Sequence, residues 1–217
     1  MRQITIPLIN ISRLRMEIDG DGVTTLVAMK GCPLSCKYCI NKKVLSDEVP
    51  SQAVTVEELY EKVKIDDLYF QATGGGIVFG GGESLLHADY IEAFAKRKPE
   101  GWKITVETSL NVPEENLRKV MPYVDCYIAD IKDMNPDTYR AYTGKDNEAV
   151  LRNLRILAES NTGAKVHVRI PLIPGFNGQE DCERSVRQVK AIGPDFETEV
   201  FPYIIRDEKK QDKKEAT

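Results

Sequence analysis

The sequence predicts an α/β fold, a partial (β/α)6 barrel with parallel strands, and three observations carry that prediction. Short β-branched runs alternate with amphipathic helical patterns along most of the chain. A cluster of cysteines stands directly behind the first clear strand, where a barrel of this kind places its chemistry. The composition, 41% hydrophobic and 29% charged over 217 residues, suits a chain that buries a sizeable core.

The first strand is read at Val23–Met29, a β-branched run entered from the Gly-rich turn Asp19–Gly22 and ended by Gly31. Thr55 and Glu58 form a capping-box pattern, with Leu59 and Val63 following at helical spacing, so a helix is expected from about 55 to 70. Further strands are expected at 76–79, 103–107, 125–131, 165–170 and 198–203. Helical patterns fall between them at 85–96, 113–121, 147–159 and 180–192. Parallel neighbours need long crossovers, and about six βα units make a partial barrel rather than a closed eightfold one. No internal repeat or linker divides the chain, so residues 1–205 are expected to form one domain. Residues 206–217, rich in Lys, Glu and Asp, are expected to be a charged, flexible tail.

A formal net charge of −4 gives no basic footprint for nucleic acid. Pro7 and Asn10 interrupt the apolar start of the chain, and no run approaches transmembrane length. The expectation is a cytoplasmic, monomeric protein with neither nucleic acid nor membrane as partner.

Five cysteines are too few and too clustered for a disulfide framework, and three fall within eight residues. Cys32, Cys36 and Cys39 form C-x3-C-x2-C on one short loop. Three such thiolates can hold three irons of a [4Fe–4S] cubane and leave the fourth open to another ligand. The alternative is a zinc site completed by Cys126, Cys182, His87 or His167, although zinc sites usually build from C-x2-4-C pairs.

Several motifs in order resemble the radical S-adenosylmethionine (SAM) superfamily, and within it the pyruvate formate-lyase activating enzyme group. They are the three-cysteine loop with Tyr38 before its last cysteine, the D-G-x-G element at Asp19–Gly22, Asn41, and the GGGIVFGGGE stretch from Gly74 to Glu83. Asp130-Ile131-Lys132 is similar to the group's D-x-K element and Glu107-Thr108 to its D-T; the likeness spans Asp19 to Tyr203. The resemblance implies that Cys32, Cys36 and Cys39 are the catalytic cluster ligands. It also implies that Tyr38, Gly81, Gly82, Glu83, Glu107, Asp130, Lys132 and Arg169 surround SAM, with Glu83 meeting the methionine amino group. A monovalent cation beside the acidic residues is implied too. So are an electron donor such as flavodoxin or ferredoxin, reductive SAM cleavage, and hydrogen abstraction from a glycine of a partner glycyl-radical enzyme.

Departures from the group stand at Thr24, Ala28, Ser84 and Ile204, the last where the group carries a histidine near the cation. They leave room for a small-molecule or ribosomal-peptide substrate. A third reading is an Fe–S electron-transfer or binding protein. Glu83, Asp130 and Lys132 speak against it, because an electron carrier has no use for a methionine pocket.

Overall fold

The computed structural model describes residues 3–16 and 18–205, so the tail expected at 206–217 lies outside the described residues. One open sheet runs through the described chain in the order β3-β1-β2-β4-β5-β6-β7-β8. Six of its strands, β2 (Val23–Met29), β4 (Gly76–Gly81), β5 (Lys103–Thr108), β6 (Cys126–Asp130), β7 (Lys165–Leu172) and β8 (Glu197–Pro202), are mutually parallel. They are the partial (β/α)6 barrel that the alternation predicts.

Strand alternation divides each element between two faces. Ile77, Phe79, Ile104, Val106, Tyr127, Ala129, Val166, Val168 and Ile170 belong to the buried hydrophobic cluster shared with the crossover helices. Those helices are α2 (Val56–Val63), α3 (Asp67–Thr73), α4 (Ala88–Arg97), α5 (Glu114–Val120), α7 (Glu148–Glu159) and α8 (Gln179–Ile192). Gly80, Glu107, Asp130 and Arg169 occupy the opposite parity, and the register sets Asp130 directly against Arg169.

The sheet has two more strands than the sequence pattern indicated. β1 (Thr5–Met16) lies antiparallel to β2, and β3 (Gln52–Thr55) antiparallel to β1. β1 escapes a periodicity reading because its pairing shifts register between Leu8 and Asn10 and between Ser12 and Arg15, with Leu14 at φ 52°. β3 is only four residues long, and its last residue, Thr55, is also the helix cap.

The helix expected over 55–70 is two helices joined by a tight turn at Lys64–Asp66. Its start is as anticipated, since Thr55 and Glu58 cap one another reciprocally. The break follows from Asp66, whose buried carboxylate accepts from Arg13 Nε at 3.0 Å and from Thr25 Oγ1 at 2.8 Å and so ties this layer to β1 and β2. α6 (Pro136–Thr143) was not anticipated either. Its signals are terminal rather than periodic: Asn135 caps the N–H groups of Asp137 and Thr138, Pro136 opens the helix and Gly144 closes it at φ 78°.

Candidate functional site

The cysteine loop leaves β2 at its C-terminal end and is pinned from several sides. Ser35 N–H donates to Thr143 O at 2.9 Å and Lys37 N–H to Tyr142 O at 3.1 Å, which ties the loop to α6. Asn41 Nδ2 donates to Gly81 O at 2.7 Å, joining the far end of the loop to β4. His87 Nε2 lies 2.9 Å from Lys30 O, just ahead of Cys32. The Tyr203 hydroxyl donates to Tyr38 O. The Tyr38 ring packs among Tyr142, Phe176 and Tyr203, with centroids 6.1, 5.8 and 6.4 Å away. Cys32 is exposed, and Cys36 and Cys39 are half-buried. Burial raises the Cys36 thiol above its ordinary range, against the pull of Lys132.

The glycines at the end of β4 make room for the chain itself. A Cβ on Gly82 would lie 2.1 Å from Gly31 O, and one on Gly80 would lie 2.3 Å from Glu107 Oε2. Gly82 N–H donates to Met29 O at 2.8 Å and Glu83 N–H to Gly31 O at 2.7 Å, so the ends of β4 and β2 are in direct contact. Glu83, 2% exposed, then turns toward the end of β5. One oxygen accepts from Thr108 Oγ1 at 2.6 Å and Leu85 N–H at 3.1 Å. The other accepts from the N–H and hydroxyl of Ser109 at 2.8 and 2.6 Å.

Below the loop, charges of opposite sign alternate across the strands. Arg15 holds the buried Asp19 with two hydrogen bonds. Arg169 Nε donates to Asp130 Oδ1 at 3.0 Å and its Nη2 to Asp130 Oδ2 at 3.3 Å, while Nη2 also lies 3.6 Å from Glu107 Oε1. Lys132 Nζ is 3.7 Å from Asp130 Oδ2. Burial works against the charge on Asp130, but Lys132 and Arg169 outweigh it and hold this carboxyl below its usual range. Lys132 is likewise raised: its burial is overcome by Asp130. Glu107 goes the other way, because burial pushes it up to about 7 and Arg169 only partly offsets that.

These residues fit a cluster with SAM. Three soft thiols stand on one loop at the C-terminal edge of the parallel strands, with the Lys132 ammonium close enough to influence Cys36. Among the described residues, no three His, Cys, Asp or Glu side chains converge as ligands of a single metal ion. Of the residues weighed as a fourth zinc ligand, His87 lies beside the cysteine loop, against Lys30 O, and the other three have other surroundings. Cys182, on α8, has its Sγ 3.7 Å from Pro171 O of β7, and Cys126 and His167 line a cavity of about 300 Å³ lower in the barrel. The monovalent cation does not fit. Asp130 already faces Arg169 and Lys132, and Glu107 is paired with Arg169, so the guanidinium stands between the two carboxylates.

Several residues of this neighbourhood were not singled out from the sequence for the roles they have. Thr108 and Ser109 are the partners of Glu83, and Tyr142 and Phe176 pack on Tyr38. His87, weighed from the sequence only as a zinc ligand, braces the start of the cysteine loop. None carries a local signal, since each acts through a contact between distant segments.

The Radical SAM superfamily model matches residues 26–188. The chain is 30% identical to the pyruvate formate-lyase-activating enzyme of Streptococcus mutans over 206 residues, covering 90% of this chain and 77% of that protein. It is 29% identical to the (2S)-3-sulfopropanediol dehydratase activating enzyme of Klebsiella oxytoca, covering 78% of this chain and 72% of the other. Among solved structures, a domain of the pyruvate-formate lyase-activating enzyme from Bacteroides vulgatus aligns with a TM-score of 0.52 at 28% identity. That alignment covers 64% of this chain and 89% of that one. No described helix is long and apolar enough to cross a membrane.

Proposed function

The chain belongs to the radical SAM superfamily, and from that premise we propose that it activates a glycyl-radical enzyme by removing a hydrogen atom from a glycine of that partner. The observation that carries the reading is the three-thiol loop with Lys132 and Asp130 acting on Cys36, and Arg169 bonded to Asp130, in a chain whose relatives are activating enzymes. Cys32, Cys36 and Cys39 would hold a [4Fe–4S] cluster with one iron left for the amino and carboxylate groups of SAM. When bound, the pair supplies one-electron cleavage of SAM to methionine and a 5′-deoxyadenosyl radical, the hydrogen-abstracting species.

The chain's own residues have the tasks of positioning and exclusion. Lys132 offers a cation to a carboxylate of the ligand, while Asp130 and Arg169 hold each other and Lys132 in place. The end of β4 at Gly81 and Gly82 presents backbone without side chains. Glu83 fixes that strand end to Ser109 rather than leaving a free carboxylate. Tyr38, packed by Tyr142, Phe176 and Tyr203, closes one flank of the loop to water. The same reading takes residues 1–205 as one domain, in keeping with a single continuous sheet and one hydrophobic cluster, and the protein as a cytoplasmic monomer supplied with electrons by a flavodoxin or ferredoxin.

The test combines reduced protein, SAM and a candidate glycyl-radical partner. A glycyl-radical doublet in electron paramagnetic resonance, with deuterium passing from labelled glycine into 5′-deoxyadenosine, is the expected outcome. Label arriving only from a small metabolite or a peptide side chain would replace the activase reading with a different radical SAM substrate.

A further inference from the structure

Asp133, 2% exposed, follows Lys132 directly and carries a carboxylate that the proposed chemistry does not use. Its Oδ1 accepts from Asn135 N–H at 2.8 Å and from the Ser185 hydroxyl of α8 at 3.4 Å. Its Oδ2 accepts from Asn177 Nδ2 at 3.1 Å. Ser185 Oγ in turn accepts from Met134 N–H at 3.1 Å, and Asn147 Nδ2 donates to Met134 O at 2.9 Å. Asp133, Asn147 and Ser185 are all buried. A buried network of this kind holds one backbone arrangement, because each polar member left unpaired is costly.

The place of this network gives it meaning. It lies just beyond the end of β6, so Lys132 stands between two tethers. Before it, Ile131 N–H donates to Arg169 O at 3.0 Å; after it comes the bonded carboxylate of Asp133. The Lys132 ammonium, 3.7 Å from Asp130 Oδ2, is past ordinary hydrogen-bond length from that partner, so its reach over the site depends on the backbone it grows from. Asn177 works on the other side of the gap. Its Nδ2 also donates to Pro171 O at 3.1 Å and its Oδ1 accepts from Ile173 N–H at 2.6 Å, which fixes the turn carrying Phe176. The Phe176 ring packs on Tyr38 with centroids 5.8 Å apart. One carboxylate–amide contact therefore joins the segment that bears Lys132 to the segment that supports the cysteine loop.

We infer that Asp133 is a positioning residue, which through Asn177 and Ser185 sets the backbone of Lys132 and with it the ammonium that meets the carboxylate of SAM. Asp133 acts through Lys132, and no bond or electron changes at Asp133 itself. The inference rests on the function proposed above, and it gives a role to a buried acid outside the D-x-K element at Asp130 to Lys132.

The probe is SAM, titrated by calorimetry onto anaerobically reconstituted protein, with iron content and melting temperature recorded for each variant. Asp133→Ala should weaken SAM binding about tenfold, the loss of most of one charge-assisted contact, while iron content stays at the wild-type level. Placed in a Lys132→Ala background, the same change should leave SAM affinity where Lys132→Ala alone puts it, because no ammonium remains to be placed. Asn177→Ala removes the facing amide and keeps the carboxylate; it should show the same dependence on Lys132, and it decides the question if Asp133→Ala fails to fold or to hold iron. Undiminished SAM affinity in the folded Asp133 variant would overturn the inference. So would an equal loss in the wild-type and Lys132→Ala backgrounds, which would make Asp133 a support of the fold at large. Wild-type protein that binds no SAM would overturn the proposed function itself, a result read before any variant is compared.

Discussion

Ser109 grips Glu83 twice, through its backbone N–H at 2.8 Å and its hydroxyl at 2.6 Å, both to the same carboxylate oxygen. With Thr108 and Leu85 on the other oxygen, a buried anion is satisfied by four donors from its own chain. Glu83→Ala strands those donors, and hydrogen bonds to a charged group contribute about 1.5–3 kcal/mol each, so cluster-free protein should lose at least about 3 kcal/mol of stability. Urea unfolding of the cluster-free protein reads this directly. Unchanged stability with selectively weaker SAM binding would make the carboxylate a direct ligand of the SAM ammonium, as the family resemblance implied.

Glu107 gives the fold a pH dependence of defined sign. Burial raises its folded pKa to about 7, with Arg169 and Arg15 lowering it and Asp19 and Asp130 raising it further. The native state therefore binds this proton more tightly than the unfolded chain does. The stability it contributes is fully present below the ordinary carboxylate pKa and is lost as pH rises through about 7. Glu107→Gln, which mimics the protonated form, should match wild type near pH 4.5 and exceed it at pH 8 by on the order of 2–3 kcal/mol. Parallel stability curves for the two proteins would return Glu107 to ordinary acidity.

The sequence made legible what local pattern encodes. Six parallel strands show as β-branched runs, the Thr55 to Glu58 capping box stands where its residues indicated, and the cysteine spacing names its own loop. β1 was hidden because bulges and polar residues such as Asn10, Ser12 and Arg13 break its alternation. The hold of Ser109 on Glu83, 26 positions away, and of Asn41 on Gly81, 40 positions away, depends on tertiary register, which no window of sequence contains. The three consecutive glycines were visible as a place of close approach. What approaches was not: it is Gly31 and Glu107 of the same chain.

Gly82→Ala tests that close approach. Its Cβ would lie 2.1 Å from Gly31 O and 3.0 Å from Met29 O, both backbone atoms that no rotamer change can clear. The ends of β4 and β2 must separate, and overpacking of this kind costs typically about 1–3 kcal/mol. Because Gly31 precedes Cys32, iron incorporation should fall together with the melting temperature. A variant with normal iron content and stability would show that the two strand ends are not locked together.

Anaerobic reconstitution separates the five thiols. Wild-type protein should bind about four irons and four sulfides, as one cubane requires. Cys32→Ala, Cys36→Ala and Cys39→Ala should each abolish this. Cys126→Ala and Cys182→Ala should not, since one thiol lines the lower cavity and the other lies against Pro171 O. Stoichiometric zinc in place of iron would refute the cluster assignment.

Arg169 leads to the prediction in which this chain departs most from what its family resemblance implies. Its guanidinium sits 3.0 Å from Asp130 and 3.6 Å from Glu107, in the position between two carboxylates where a bound alkali ion would neutralise them. A side-chain cation already bonded to Asp130 needs no ion from solution, and Lys132 supplies a second positive charge at 3.7 Å. SAM affinity of the wild-type protein should therefore be the same in sodium, potassium and choline chloride at matched ionic strength. Arg169→Ala removes the internal cation and leaves two carboxylates facing each other. Like charges at close range favour protonation or ion binding, so the variant should bind SAM more tightly in sodium or potassium than in choline. The comparison is made within each protein, which keeps any direct contact between Arg169 and SAM out of the result. A wild-type protein that loses affinity in choline would show that the guanidinium does not replace the ion.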